Sequence, residues 1–414
     1  MSRRTLALLA GLCLSRLVSA GGHCARDTAL RSGRDICPLP IDDASPADIL
    51  GSSPLRPLKC LRSGDGPEGV HCIYSAPAFR DGLGIATRAS HAANLVGMGS
   101  LDDVVTPHAP LHSFSSGPVE TADGPPYEVR ELPGKGKGVV AKRVIRKGEV
   151  FMIDYPAILI ERELMAGMNM PSRRGILRGA VGGLREVARE RILGLARSSG
   201  GDELLDLFVT NGCGIEGFGV AYTGLFPEAA RMNHDCQPNA YFRFSARTMT
   251  MEVLAYRDIL PGEEVTINYA FLGMPYEERQ KHLQQTWSFT CSCPLCTSSP
   301  SHRSASDARR HDIVHLRKEL SKAKAEERYE EVAKAAEGAV GLCEVEGLEA
   351  LMPEFWGVMA EGYLGMGRLE DARLWAGKAL EGRRVFNGED STAAAEAEEL
   401  VCVIEREMRR RRQE

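Results

Sequence analysis

Two short segments of the chain concentrate residue types that bind ligands or metals. The first is "ARMNHDCQPNAYFRF", Ala230 to Phe244, in which Asn, His, Asp, Cys, Gln, Pro and Asn follow one another. Such a run breaks both the helical and the strand period of apolar residues, so packing alone does not explain it. The second is "FTCSCPLC", which places Cys291, Cys293 and Cys296 close together in the sequence.

The three clustered cysteines are typical of a metal site. Zinc in structural sites is held tetrahedrally by four ligands, often thiolates, and the C-x-C-x-x-C spacing of Cys291, Cys293 and Cys296 can supply three. Cys236, in the non-periodic loop, is the best candidate for the fourth. A complete set of four cysteines leaves no open position for water, so this zinc would be structural. Disulfide pairing or free thiols are the alternative interpretations.

The surrounding sequence predicts the elements that position these residues. From Tyr127, short β-branched runs alternate with Gly-rich turns, as in a small antiparallel sheet. Residues from about 161 to 207 read as helical. Strand patterns then return in "MTMEVLAYRDI" and "VTINY", which a Pro-Gly turn separates.

The last hundred residues, about 308–412, look helical throughout and follow a Ser-rich connector. Part of this region matches the tetratricopeptide pattern at Trp356, Ala360, Tyr363, Gly367, Leu369, Ala372 and Ala379. A second, degenerate copy lies about 40 residues upstream, with Tyr329 and Val332 where Leu369 and Ala372 stand. A plain amphipathic helical bundle is the alternative to stacked helix pairs.

Composition limits the class of protein. The chain has 414 residues and a formal net charge of -5, so no general basic excess predicts direct nucleic-acid binding. Its first residues combine a basic "MSRR", a short apolar run and a small-residue site ending at Ala20, which together predict a secretory signal peptide over residues 1–20. An apolar N-terminus from an inexact gene boundary is the alternative. No later segment is apolar for long enough to predict a transmembrane helix.

Residues 21–126 are rich in Gly, Pro and Ser and predict a loosely structured arm with a few short elements. The arm contains four cysteines: Cys24, Cys37, Cys60 and Cys72. In a secreted protein they could form two disulfides with three possible connectivities, and reduced thiols are the alternative.

Four motifs in order resemble one known family. "GKGKGVVAKRVIRKGEVF", "NHDCQPNA", "LPGEEVTINYAF" and "FTCSCPLC" are together similar to a SET domain with a zinc-binding post-SET segment. The helical insert and helical C-terminus are most similar to the SET and MYND branch, particularly fungal relatives without the MYND finger. The resemblance implies an α+β fold: a SET domain at 127–275 built of small antiparallel sheets with a helical insert at about 161–207. A post-SET zinc segment at 276–300 and an all-α, tetratricopeptide-like domain at 308–412 would follow.

The resemblance also implies a function, S-adenosylmethionine-dependent methyl transfer to lysine in a protein, histone or non-histone. Tyr269 corresponds to the catalytic tyrosine, which also contacts the cofactor. The remaining cofactor-binding positions implied are Lys135, Gly136, Lys137, Asn211, Asn233, His234 and Phe289, with Phe289 stacking on the adenine. Lys137 departs from the commoner Asn or Arg of the turn, which puts the contact of that side chain in doubt.

Other functions stay open at this stage. A catalytically silent SET module could present its helices to a partner peptide, and the acceptor could be a small amine, since a fold alone does not define a substrate. Intact Asn233, His234 and Tyr269 argue against a silent module. The signal peptide favours the secretory pathway, and nucleus or cytoplasm is the alternative.

Overall fold

The computed structural model describes residues 39–40, 55–62, 70–77, 79–80, 82–88, 91–92, 95, 124–216, 219–271 and 273–413. The predicted signal peptide, Cys24 and Cys37 lie outside the described residues. The chain divides into two compact units. The first comprises the described residues within 23–270 and 281–291, and the second those within 271–280 and 292–414.

The first unit contains the strands of the described chain: β1 Leu39–Pro40, β2 Arg56–Arg62, β3 Val70–Ala76, β4 Leu83–Arg88, β5 Tyr127–Leu132, β6 Gly136–Ala141, β7 Val150–Asp154, β8 Ile158–Glu161, β9 Cys213–Ile215, β10 Tyr222–Leu225, β11 Asn233–His234, β12 Ala240–Ser245, β13 Thr250–Ala255 and β14 Glu264–Ile267. The helices along the chain are α1 Arg162–Ala166, α2 Met170–Gly182, α3 Glu186–Leu193, α4 Glu203–Asn211, α5 Tyr276–Trp287, α6 Pro294–Thr297, α7 Pro300–Ala325, α8 Tyr329–Glu346, α9 Met352–Gly365, α10 Leu369–Asn387 and α11 Thr392–Gln413.

Three sheets make up the first unit. Their strand orders are β1-β2-β3-β4-β8-β10-β9, β11-β14-β6-β5 and β12-β13-β7. Most neighbours are antiparallel, but β4 pairs with β8 and β11 pairs with β14 in parallel. Inward side chains from the sheets, including Phe151 and Ile267, form one apolar core, to which Met232 is added from the residue before β11. The predicted α+β class, with small sheets and a helical C-terminal region, is confirmed.

The described part of the region predicted to be a loosely structured arm with a few short elements contains strands that join a sheet. Strands β2, β3 and β4 extend the seven-stranded sheet, and Leu83, Ile85 and Ala86 are fully buried. Each strand is short and flanked by Gly- and Pro-rich sequence, so local pattern favours a loose chain. Their burial comes from β8, about 75 residues farther along, which β4 joins in parallel. Cys60 and Cys72 face each other across β2 and β3 and form a disulfide.

A buried carboxylate fastens this extension to the rest of the sheet. Glu161, at the end of β8, is 1% exposed and accepts hydrogen bonds from the Thr87 hydroxyl and the Arg88 backbone N–H, at 2.8 and 2.9 Å. The Arg88 guanidinium lies 3.4 Å from the other carboxylate oxygen. Burial alone would raise the pKa of Glu161, but these bonds outweigh it and hold the pKa below its usual range.

The helical insert is close to its predicted position. Helices α1 to α4 run from Arg162 to Asn211, between β8 and β9. Asp202 caps α4 by accepting a hydrogen bond from the Leu205 N–H, and Leu207 and Phe208 bury the apolar face of that helix. The insert therefore has its own apolar cluster, which packs on the face of β8.

In the second unit, each helix from α7 to α11 packs against the next in the chain. Helices α8 and α10 begin at Tyr329 and Leu369, the two positions that the sequence places in register. Glu346 is fully buried in α8 and pairs with Arg310 of α7 at 2.8 Å. The tetratricopeptide assignment stays a prediction. None of the helices in the described part of the chain combines the length and apolarity needed to cross a membrane.

Candidate active site and cysteine cluster

The non-periodic loop is held by β14. Asn233 and His234 form the short strand β11, whose register pairs them with Thr266 and Ile267. Farther along the loop, the side chain of Asn239 makes hydrogen bonds to the backbone of β14. Its Oδ1 accepts from the Thr266 N–H and its Nδ2 donates to the Glu264 carbonyl, both at 2.8 Å. A buried amide that satisfies strand backbone explains why polar residues occupy a core position.

Both ring nitrogens of His234 are engaged by the protein. Its Nδ1 accepts a hydrogen bond from the Tyr269 N–H at 2.9 Å, and its Nε2 lies 3.3 Å from the Cys236 sulfur. Because an accepting Nδ1 carries no proton, the neutral ring has its proton on Nε2, where it is donated to sulfur. The ring is 7% exposed. Contact of His234 with a cofactor, as the resemblance implies, would therefore fall to its backbone.

The four predicted metal ligands come together. The sulfur atoms of Cys236, Cys291, Cys293 and Cys296 lie within 4.8 Å of one another, and all four residues are buried. Cys236 and Cys291 are 3.8 Å apart, and none of the four is in a disulfide. Zn–S bonds of about 2.3 Å in a tetrahedron give sulfur–sulfur edges of about 3.8 Å, so the cluster fits a metal ion of that geometry. With a metal bound, the His234 Nε2–H would supply an outer hydrogen bond to a ligand sulfur.

Tyr269 lies at the centre of a group of aromatic rings. Its ring centroid is 5.0 Å from that of Trp287, 5.4 Å from His234 and 6.5 Å from Phe289. Its hydroxyl donates to the Met232 carbonyl at 2.5 Å. Burial, reinforced by the nearby Glu264 carboxylate, raises the pKa of Tyr269 well above its usual range. The hydroxyl therefore stays protonated at any physiological pH.

A short 3-10 turn, Ala229–Arg231, carries Met232 to that position. The turn begins on Asp154, the last residue of β7, whose Oδ2 accepts from the Glu228 and Ala229 N–H groups at 2.7 and 2.9 Å. Burial raises the pKa of Asp154 to about 7 in spite of these two bonds. Asp154 thus sets where the turn starts, and the turn sets where the Met232 carbonyl meets Tyr269.

The Gly-rich turn between β5 and β6 approaches the same loop. Gly136 has φ +70°, and a Cβ there would meet no atom within 4 Å, so this part of the turn is open. A Cβ on Gly138 would instead lie 2.8 Å from the Asn233 Nδ2. Lys135 pairs with Glu264 at 2.6 Å, and Lys137 is exposed and offers its carbonyl 3.4 Å from the Asn233 Nδ2.

Two more of the predicted cofactor-binding residues, Phe289 and Asn211, lie in different surroundings. Phe289 joins the ring group, 6.1 Å from His234. The Asn211 Nδ2 donates to the Ala196 and Leu207 carbonyls, both at 2.7 Å, so its amide ties the end of α4 to the preceding loop. These two hydrogen bonds give Asn211 a structural role, and its cofactor role stays a prediction.

Sequence reasoning missed three residues of the site. Trp287 packs on Tyr269, and its indole N–H donates to the Thr210 carbonyl at 2.9 Å. A second aromatic two positions before Phe289 was the available signal. Glu264 and Asp154 carry no distinguishing sequence signal, because their partners lie far away in the chain.

Comparison with known proteins agrees with this geometry. Residues 136–270 match the SET domain family. The chain is 28% identical over 200 residues to "Histone-lysine N-methyltransferase set5" of Schizosaccharomyces pombe, covering 47% of this chain and 58% of that protein. It is 35% identical over 114 residues to "N-lysine methyltransferase SMYD2" of Homo sapiens, which covers 26% of each chain.

The matched region holds β6, the loop with Asn233 and His234, and the strand that ends before Tyr269. The chain spans less than two thirds of the length of the curated relatives it matches. The loop held by β14, the strands from β6 to β14 and the partly buried Tyr269 all lie within residues 136–270, the part of this chain that matches the SET domain family.

Proposed function

We propose that the protein is an S-adenosylmethionine-dependent protein-lysine N-methyltransferase. The observation that carries this proposal is the partly buried Tyr269 hydroxyl, set among aromatic rings and adjoining the Asn233–His234 strand. The names of the similar proteins support the reaction class, and a lysine-bearing protein is the substrate class that they suggest.

The residues present fit the cofactor. Lys135 offers a cation to a carboxylate, Asn233 offers an amide, and Phe289 offers an aromatic face to a base. The open backbone at Gly136 leaves room for close approach. When bound, S-adenosylmethionine supplies a methyl group on a positively charged sulfur, which is a good leaving group.

The chain's own task is to present a neutral amine in line. A free lysine side chain has a pKa of about 10.4, and burial among apolar rings lowers it because the charged form loses hydration. The rings of Tyr269 and Trp287 provide such a wall. Because the Tyr269 hydroxyl donates to Met232, its oxygen keeps lone pairs that can accept from an amine N–H and orient it. Alignment of this kind lowers barriers by about 7–11 kcal/mol in favourable cases.

Zinc is the metal that four clustered thiolates suit best. Cys236, Cys291, Cys293 and Cys296 would hold it, and with four protein ligands the ion would be structural. Its effect on the site would pass through Cys236 to the His234 ring and from there to the Tyr269 backbone.

Two further parts of the proposal concern place and partners. The N-terminal sequence and the Cys60–Cys72 disulfide support passage through an oxidising, secretory compartment, with nucleus or cytoplasm as the alternative. The acceptor would then be a lysine-bearing protein of that compartment. The C-terminal helices would contact a peptide partner.

Methyl transfer is tested directly with purified protein, methyl-labelled S-adenosylmethionine, and two acceptor pools: core histones and a secretory-protein extract. Label on lysine, located by mass spectrometry and absent with Tyr269→Phe, is the expected result. Calorimetry on the same samples measures cofactor binding. Protein that neither binds S-adenosylmethionine nor labels any lysine would leave the silent binding module as the better interpretation.

A further inference from the structure

One carboxylate joins two of the positions that face the cofactor. Glu264 begins β14, which lies between β11 and β6 in the four-stranded sheet. Its Oε1 accepts from the Asn233 Nδ2 at 2.9 Å, and its Oε2 accepts from the Lys135 ammonium at 2.6 Å. Asn233 and Lys135 belong to different elements, the loop strand and the Gly-rich turn. Glu264 is therefore the group that sets their separation.

The contacts of Asn233 determine which end of its amide remains for a ligand. Its Nδ2 lies 2.9 Å from the Glu264 carboxylate and 3.4 Å from the Lys137 carbonyl. Both partners are acceptors, so only the NH₂ end of the amide can face them. The carbonyl oxygen is the end left over, and it accepts hydrogen bonds. An acceptor at this place suits an ammonium group, such as the one on an amino-acid moiety.

The backbone of β6 holds the pair from the other side. A Cβ on Gly138 would lie 2.3 Å from the Leu132 Cδ1, 2.8 Å from the Asn233 Nδ2 and 3.3 Å from the Glu264 Oε1. Real Cβ atoms avoid the two shorter distances, so any larger residue must move both the Leu132 side chain and the Asn233 amide. The pair therefore occupies a slot that only glycine leaves open.

The two interactions of the Glu264 carboxylate contribute different amounts of free energy. Lys135 is about half exposed, and ion pairs of that kind contribute little because water screens them. The bond to Asn233 is partly buried and involves a charged acceptor, a class that contributes more. The orientation of Asn233 is thus the larger effect.

We infer that Glu264 is a positioning residue of the cofactor site, which orients the Asn233 amide so that its carbonyl oxygen accepts the ammonium group of the methionine moiety of S-adenosylmethionine. This inference rests on the proposed function. Glu264 itself acts through Asn233, and its loss should weaken cofactor binding more than it slows turnover.

Two substitutions separate the orientation of Asn233 from the charge. Glu264→Gln keeps a side-chain carbonyl that can accept from Asn233 but loses the pairing with Lys135. Glu264→Leu removes both. The dissociation constant for S-adenosylmethionine, measured by calorimetry, should rise roughly 10-fold or more in the Leu variant and less than about 3-fold in the Gln variant. Turnover at saturating cofactor should stay within about 3-fold of wild type in both.

Glu263→Leu is the matched control. Glu263 is the preceding residue, and its carboxylate accepts from the Leu260 N–H, from the Arg257 side chain and, at 3.4 Å, from the Asn239 side chain. It should lower thermal stability while the folded protein keeps wild-type cofactor affinity. A merely structural role for Glu264 predicts the same behaviour for Glu264→Leu.

The outcomes divide clearly. Wild-type affinity in folded Glu264→Leu overturns the inference, and an equal loss in the Leu and Gln variants overturns Asn233 as the residue through which Glu264 acts. Wild-type protein that does not bind S-adenosylmethionine overturns the proposed function and this inference with it. Should Glu264→Leu not fold, Gly138→Ala moves the Asn233 amide, together with the apolar Leu132 side chain, while Glu264 stays in place. The same rise in the dissociation constant supports the inference, and unchanged affinity overturns it.

Discussion

The side chain of His234 joins two parts of the site. Its imidazole accepts from the Tyr269 backbone on one side and approaches the Cys236 sulfur on the other, so the cysteine cluster and the tyrosine proposed to be catalytic share one ring. The motif "NHDC" thus places a proposed cofactor position, a linking ring and a proposed metal ligand within four residues. The linking role explains why His234 is buried although it was expected to face the cofactor.

Tyr269→Phe tests the single atom on which the proposed chemistry depends. The ring and its contacts remain, but the hydroxyl that donates to Met232 is lost. Turnover should fall by about 100-fold or more, since small misplacements in a site have effects of that size. The S-adenosylmethionine dissociation constant should stay within about 2-fold. Label transfer and calorimetry measure the two quantities.

Tyr222→Phe is the control for loss of a buried tyrosine hydroxyl. Tyr222 is fully buried and its hydroxyl lies 2.9 Å from that of Thr87, in the network around Glu161. This variant should lose stability but keep its turnover. Equal activity in Tyr269→Phe and wild type would refute the catalytic assignment.

At the scale of elements, the 3-10 turn Ala229–Arg231 links β7 to the tyrosine. The Asp154 carboxylate accepts hydrogen bonds from the two N–H groups at the start of the turn. The Met232 carbonyl, at its end, accepts one from the Tyr269 hydroxyl. A turn of three residues makes few hydrogen bonds of its own, so it depends on this side-chain cap.

Asp154 predicts an unusual pH dependence of stability. Its pKa is about 7 in the folded protein, above the 3.8 of an ordinary aspartate side chain, so the folded state binds the proton more tightly. The stability that this proton contributes is complete below about pH 4 and is lost as the pH rises toward 7. The free energy of unfolding of wild type should therefore fall relative to Asp154→Asn, by at most about 1.4 kcal/mol per pH unit. Denaturant titrations between pH 4.5 and 7.5 measure it.

Asp206→Asn is the control of opposite sign. Hydrogen bonds from the side chain and backbone of Ser199 and from the Ser198 and Gly200 N–H groups outweigh burial and hold the pKa of Asp206 below its usual range. Its contribution is present above the unfolded pKa and is lost only as the pH falls further. The difference between wild type and this variant should stay constant over the same window. A constant difference for Asp154→Asn as well would contradict the role given to Asp154.

Cys293→Ser tests the cysteine cluster. A thiolate is a far better zinc ligand than a hydroxyl, so the variant should lose zinc that wild type holds at one equivalent. Metal content after dialysis, measured by mass spectrometry, gives the answer. Cys402→Ser, at an exposed cysteine of α11, should keep the full equivalent. A full zinc equivalent in Cys293→Ser is incompatible with four-cysteine ligation.

For the whole molecule, the chain combines oxidised and reduced cysteines. Cys60 and Cys72 are bonded, whereas the four clustered cysteines are thiols. Bound zinc would protect those thiols in an oxidising compartment, because a coordinated thiolate is not free to attack a disulfide.

Replacing both Cys60 and Cys72 by Ser should lower stability without removing activity. The two residues are 12 apart in sequence, and closing a loop of that length in the unfolded chain contributes about 3 kcal/mol in the chain-entropy description. Chemical denaturation measures the loss, and Cys402→Ser should show none. A double variant as stable as wild type would remove the structural role of the disulfide.

The compartment itself is tested at the N-terminus. If the signal peptide predicted over residues 1–20 is removed, native protein begins at Gly21. N-terminal sequencing of protein isolated from its own cells decides the point. Native protein that begins at Met1 or Ser2 contradicts secretory routing and favours the nucleus or cytoplasm.

The sequence by itself determined the chemistry-bearing residues. The spacing of Cys291, Cys293 and Cys296, the Asn-His pair and the tyrosine that follows β14 are local patterns, and local patterns can be read without a structure. The same holds for the helical insert and the helical C-terminal region, whose residues make most of their contacts with near neighbours.

Only the tertiary structure decided how those residues are connected. Glu264, Asp154 and Trp287 act through partners many positions away, so no local pattern distinguishes them. The same reason explains the N-terminal strands, which look loose in sequence and are buried because β8 pairs with β4. Long-range pairing and burial belong to the folded chain, and they turn separate motifs into one site.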